Sequence, residues 1–128
     1  DTEYISATDV YYRHHLCRLD PWPDCLNRTL EKLVQDPEVY NHMWGPTEFH
    51  CTGILKNWNI EDRLGEIAIP TLILSGRYDE STLAINEVLH QGIRDSELVI
   101  FEKSSHTPHL EETERYIQVV SDFLDRHE

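Results

Sequence analysis

Two short apolar runs constrain this chain more than any other feature. Thr71-Leu72-Ile73-Leu74-Ser75-Gly76 follows Pro70, and Leu98-Val99-Ile100-Phe101 comes some two dozen residues later. Each is short, continuous and free of charge, which is the signature of a strand buried on both faces of a parallel sheet. Between them, residues 81 to 91 read as a helix, with Ser81 or Thr82 as cap and Gly92 as stop. After the second run a last helix is expected from about Glu111, with Tyr116, Ile117, Val120, Phe123 and Leu124 on one face. Strand, helix, strand, helix is a βαβα unit, so the fold class is α/β. Two parallel strands do not make a stable buried sheet by themselves. The pattern therefore predicts an incomplete fold, whose sheet needs neighbours from elsewhere.

Residues 1–65 have a different character from residues 66–128. They are rich in Trp, Tyr and His and read as irregularly helical. Thr8 or Asp9 is a candidate cap for a helix running through Arg18. Asp20-Pro21 is a second start signal, Asp as cap and Pro at the first helical position. Trp22, Leu26, Leu30, Leu33 and Val34 then form an amphipathic stripe. Asp36-Pro37 repeats the signal, and Gly45-Pro46 ends that helix. Short helices with no strand between them suit a lid (1–65) ahead of a core segment (66–128). The aromatic residues Tyr11, Tyr12, Trp22, Trp44, Phe49 and Trp58 read as lid core, with one or two available to line an apolar pocket.

The 128 residues hold 11 Lys plus Arg against 24 Asp plus Glu, for a net charge of −13. Such a chain lacks the cationic face that nucleic acid requires, and anionic membrane surfaces are disfavoured too. No apolar run approaches a membrane span, and no signal peptide is visible. The absence of an initial Met suggests a processed product or an interior piece of a longer chain. The three cysteines, Cys17, Cys25 and Cys51, are odd in number and never at C-x-x-C spacing. They read as semi-buried thiols in a reducing, cytoplasmic setting.

In open parallel sheets, sites lie beyond the carboxyl ends of the strands. Gly76-Arg77-Tyr78-Asp79-Glu80 follows the first apolar run, and Ser104-Ser105-His106 follows the second. An Asp and a His on adjacent strand ends can form the pair in which a carboxylate orients a general base. Taken singly, Asp79 also reads as a helix cap and His106 as a loop histidine bonded to backbone. His14-His15, His42, His50 and His106-x-x-His109 have no zinc-finger cysteine partner, and no metal or other cofactor is expected.

The segments Ile69–Asp79 and Ser105-His106 resemble the last third of an α/β-hydrolase, in which Ser, Asp and His follow in chain order. Gly45-Pro46-Thr47-Glu48-Phe49, Thr52-Gly53, Trp58-Asn59-Ile60 and Tyr78-Asp79-Glu80 narrow the resemblance to the proline iminopeptidases, over nearly the whole chain. The resemblance implies that Asp79 is the triad acid and His106 the triad base. It also implies that Glu48 and Glu80 bind the free amino terminus of a peptide substrate. The chemistry is sensible, because a partly buried ammonium needs anionic partners and a substrate without one leaves them unpaired. Taken alone, Glu48 also reads as a solvated lid carboxylate and Glu80 as a first-turn glutamate favoured by the helix dipole.

Serines occur at 6, 75, 81, 96, 104, 105 and 121, and none lies in G-x-S-x-G. The nucleophile is therefore expected outside these residues, and the chain alone should be inactive. The expectation is a fragment of a cytoplasmic serine aminopeptidase releasing an N-terminal residue, preferably proline. An amino-acid amidase or another α/β-hydrolase with the same lid is an alternative. A non-catalytic fragment that binds a partner chain is the alternative from another class. In either class the sheet should be completed by a missing half or by self-association.

Overall fold

The computed structural model describes residues 1–128. In order, its elements are α1 (Thr2–His15), α2 (Asp24–Gln35), α3 (Glu38–Met43), β1 (Thr71–Gly76), α4 (Leu83–Gly92), β2 (Ser96–Phe101), α5 (Pro108–Glu111) and α6 (Thr113–Arg126). Tight 3-10 turns occupy Ile54–Asn57 and Glu61–Glu66. The chain divides into two compact units, Trp22–Ile60 and Asp1–Pro21 together with Glu61–Glu128. No helix is long and apolar enough to cross a membrane.

In the larger unit, β1 and β2 pair in parallel from Thr71↔Ser96 to Gly76↔Phe101. This is the predicted pairing, with α4 as the crossover packed on both strands. Ile73, Ile93, Leu64 and Phe101 are buried around it. The helix α6 lies against β2, where Arg115 donates to Ile100 O at 3.0 Å and the Tyr116 ring lies 6.1 Å from that of Phe101. The sheet has only two strands, so each keeps an unpaired outer edge. Ile85 and Val88 on α4 and Ile117 and Leu124 on α6 are exposed. Apolar helix faces without a cover and a sheet of two strands are what part of a larger α/β layer looks like.

The smaller unit holds α2, α3 and the turn at Ile54–Asn57, which packs on α3. Gly45 ends the α3 region as expected. Its φ is 150°, and a Cβ there would meet His50 O at 2.1 Å, so only glycine fits the turn.

Several boundaries differ from the sequence expectations. The first helix begins at Thr2, where Asp1 accepts the Glu3 N–H at 3.0 Å. Thr8 and Asp9 lie inside it, bonded one turn away to Tyr4 O and to Arg13. Residues able to cap a helix can equally well bond along it, and local sequence does not separate the two. The second helix starts at Asp24, not at Asp20-Pro21. Trp22 precedes Pro23, and a residue before proline is kept out of the helical region. On its stripe Leu26 is buried, but Leu33 and Val34 are exposed. The last helix is broken at Glu112, with φ at −133°, which separates the single turn of α5 from α6.

Candidate active site

The carboxyl ends of β1 and β2 carry two loops zipped together by backbone. Arg77 N donates to Phe101 O at 2.9 Å and Tyr78 N to Ser104 O at 3.1 Å. Arg77 also forms a two-pronged ion pair with Glu102, and these hydrogen bonds hold the Glu102 carboxyl below its ordinary pKa. Gly76 makes the approach possible. A Cβ on it would stand 2.0 Å from Ser105 O and 2.5 Å from Ser104 O, backbone atoms that cannot swing aside. Gly76→Ala is therefore expected to force the loops apart at a cost of roughly 1–3 kcal/mol or more. Thermal unfolding checks it, and an unchanged Tm would contradict it.

On this base the Asp79 and His106 side chains meet. The imidazole donates from Nδ1 to Asp79 Oδ1 at 2.9 Å. Asp79 is almost fully covered, with 7 % of its side chain exposed against 48 % for His106. The same Asp79 oxygen accepts the Ser81 N–H at 2.8 Å, so the carboxylate also braces the turn into α4. Asp79 is not the cap of α4, a position held by Thr82, but its bond to Ser81 shapes the turn that leads into the helix. Asn86 reinforces this turn by donating to Ser81 O, Thr82 O and the buried Ser75 Oγ. With Nδ1 turned to Asp79, Nε2 is left to act as acceptor on the other side of the ring. The partly covered Glu80 carboxylate lies 3.8 Å from that Nε2. A cleft of about 310 Å³ opens beside Asp79 and His106, walled by Leu74, Pro108 and Tyr116.

Sequence reasoning missed the contribution of α1. His15 donates from Nδ1 to Tyr78 O at 2.7 Å, and the Arg18 guanidinium lies 3.9 Å from the Tyr78 ring centre. His106 N in turn donates to His15 O at 3.2 Å. The end of α1 thus grips both loops. These residues carry no motif that would have announced it. Glu112 was missed as well. It accepts from Lys103 N at 3.0 Å and Ser104 Oγ at 2.6 Å. Burial alone would raise its pKa, but these bonds and Arg115 hold it below the ordinary value.

Glu48 belongs to the smaller unit. Trp44 Nε1 donates to its carbonyl at 2.9 Å, and Thr47 and His50 bridge across the turn. Glu48 lines an apolar pocket of about 570 Å³ with Tyr40, Met43, Trp44 and Leu55. Trp58 and Phe49 are exposed rather than packed in a lid core. None of the three cysteines is in a disulfide, and only Cys17 is buried.

No protein-family model matches the chain. The proline iminopeptidase of Saccharolobus solfataricus is 40 % identical over 124 residues, 97 % of this chain and 40 % of its own length. The chain is homologous to proline iminopeptidases. The crystal structure of a Mycobacterium smegmatis proline iminopeptidase superimposes with a TM-score of 0.91 at 35 % identity, covering 97 % of this chain and 42 % of the other. That of VinJ gives 0.92 at 41 % identity, covering 100 % and 43 %. The chain thus has part of an α/β-hydrolase fold and spans about 40 % of the length of the relatives it matches.

Proposed function

We propose that this chain supplies the acid–base pair and the amine-binding carboxylates of a serine aminopeptidase of the proline iminopeptidase type, with the nucleophile on another segment. The observation carrying this reading is the 2.9 Å bond between His106 and Asp79 at the carboxyl ends of adjacent parallel strands. A serine from outside these residues attacks the carbonyl of the substrate's first residue. His106 takes its proton through Nε2 and returns it to the leaving amine, while Asp79 holds the tautomer and stabilises the imidazolium.

Glu80 and Glu48 bind the substrate's ammonium. In support, Glu80 Oε1 lies 3.8 Å from Nε2, on the reacting side of the His106 ring. Glu48 borders an apolar pocket whose wall suits a pyrrolidine ring. The substrate is a peptide with a free N-terminus, preferably proline. A missing half or a second copy completes the sheet. Three cysteines outside any disulfide favour a cytoplasmic setting.

The test is selectivity. In a protein joining this chain to a nucleophile-bearing segment, Glu48→Gln and Glu80→Gln are each expected to lower kcat/KM for a prolyl arylamide roughly ten- to a hundred-fold, the worth of one charge-assisted hydrogen bond. A short-chain aryl ester without an amine should lose little. Equal losses on both substrates would make the carboxylates structural and reduce the reading to an unspecified α/β-hydrolase.

A further inference from the structure

His106 sits between two residues whose backbone donors converge on one carboxylate. Glu111 Oε2 accepts the N–H of Ser105 at 2.8 Å and that of Thr107 at 3.2 Å. The Ser105 hydroxyl bonds the same group, 2.9 Å from Oε1. Oε1 also accepts the N–H of Arg18, 93 residues away, at 2.8 Å. The Thr107 hydroxyl lies 3.2 Å from both Glu111 Oε2 and Leu16 O, and its one proton can serve either. Ser105 is fully buried and Thr107 nearly so. Donors in such places cannot turn to water instead.

We infer that Glu111 is the positioning residue for His106: one carboxylate gathers the loop on both sides of the base and ties it to the end of α1. This rests on the proposed role of His106 as the general base. The geometry explains why the position calls for an anion. Three backbone N–H groups and two hydroxyls face it, all of them donors. A glutamine there has one acceptor oxygen, and its NH₂ would point at a donor. The loop would then have to shift, carrying the imidazole with it. The Glu111 carboxylate bonds to Arg18, Ser105 and Thr107 and does not line the cleft, so its effect reaches the chemistry through the placement of His106. Turnover should suffer while substrate binding is spared.

The experiment uses the protein that joins this chain to a nucleophile-bearing segment, with a prolyl arylamide as probe. Glu111→Gln is expected to lower kcat roughly 10- to 100-fold, the range for a catalytic group displaced by about an ångström, with KM within about twofold. In histidine-labelled NMR spectra the His106 Nδ1 proton should lose the downfield position that its bond to Asp79 confers. A lower Tm with kcat and the His106 resonance unchanged would overturn the inference and leave Glu111 a purely structural residue. If Glu111→Gln does not fold, Ser105→Ala decides, because it removes a single hydroxyl from the cluster. A several-fold loss of kcat at constant KM supports the inference, and unchanged kcat overturns it. His106→Ala separates this inference from the reading it rests on. If that variant keeps its turnover, the general-base assignment fails whatever Glu111 does. If it loses turnover while Glu111→Gln does not, only the positioning role fails.

Discussion

His106→Ala is expected to cut turnover of a prolyl arylamide by roughly four to six orders of magnitude, since nucleophile, base and acid act as one unit. Asp79→Asn should cost about 10⁴-fold, and its geometry says why. Asp79 accepts two hydrogen bonds on one oxygen, from His106 Nδ1 and from Ser81 N. An asparagine with its oxygen at that position keeps both bonds and so preserves the turn and the tautomer, but it carries no charge. The imidazolium formed when His106 takes the proton of the attacking serine then lacks the anion that stabilises it. The fold should survive, because the substitution keeps shape and both bonds, so the loss falls on kcat and not on Tm. Steady-state kinetics with thermal unfolding on both variants, in the protein that joins this chain to its nucleophile, decides the matter. Retention of most turnover by either variant would refute the dyad.

The 128 residues alone should turn over no prolyl arylamide. Asp79 and His106 are bonded at 2.9 Å, but on the proposed reading a base without a nucleophile has nothing to deprotonate for attack. None of the seven serines lies in a nucleophile elbow, and those nearest His106 are committed elsewhere. Ser104 and Ser105 are fully buried and bonded to Glu112 and Glu111. Supplying a segment with the elbow, in the same chain or as a second one, should restore activity. The lone chain should also self-associate, because both strands present an unpaired edge beside exposed apolar helix faces. Arylamide assays with sedimentation at several concentrations check both. Turnover by the purified chain, free of host enzymes, would mean that the nucleophile lies within it. A sharp, concentration-independent monomer would contradict the account of the sheet.

The parts of the site that were legible share a physical trait. The runs at 71–76 and 98–101 announce their strands because no charged residue interrupts them. Once two such strands are taken as neighbours, the residues just after them must converge. The placement of Asp79 against His106 therefore followed from topology. Capping residues were less legible. Thr8, Asp9 and Asp20 each carry a side chain able to start a helix, yet the first two sit mid-helix and the third lies before the real start. Their alternatives differ by about a kilocalorie per mole, too little for local sequence to decide.

What the sequence determined by itself is the order of elements, the α/β class, the Asp79–His106 pair and the absence of a nucleophile elbow. All of these depend on side-chain periodicity, turn chemistry or identity, which act over a few residues. Tertiary structure alone decided what holds the pair in place. His15 reaches Tyr78 O across 63 positions, and Glu111 reaches Arg18 N across 93. Such bonds join groups whose proximity is a product of the whole fold. A backbone carbonyl or N–H is present at almost every position, so no residue pattern marks the one that will be used.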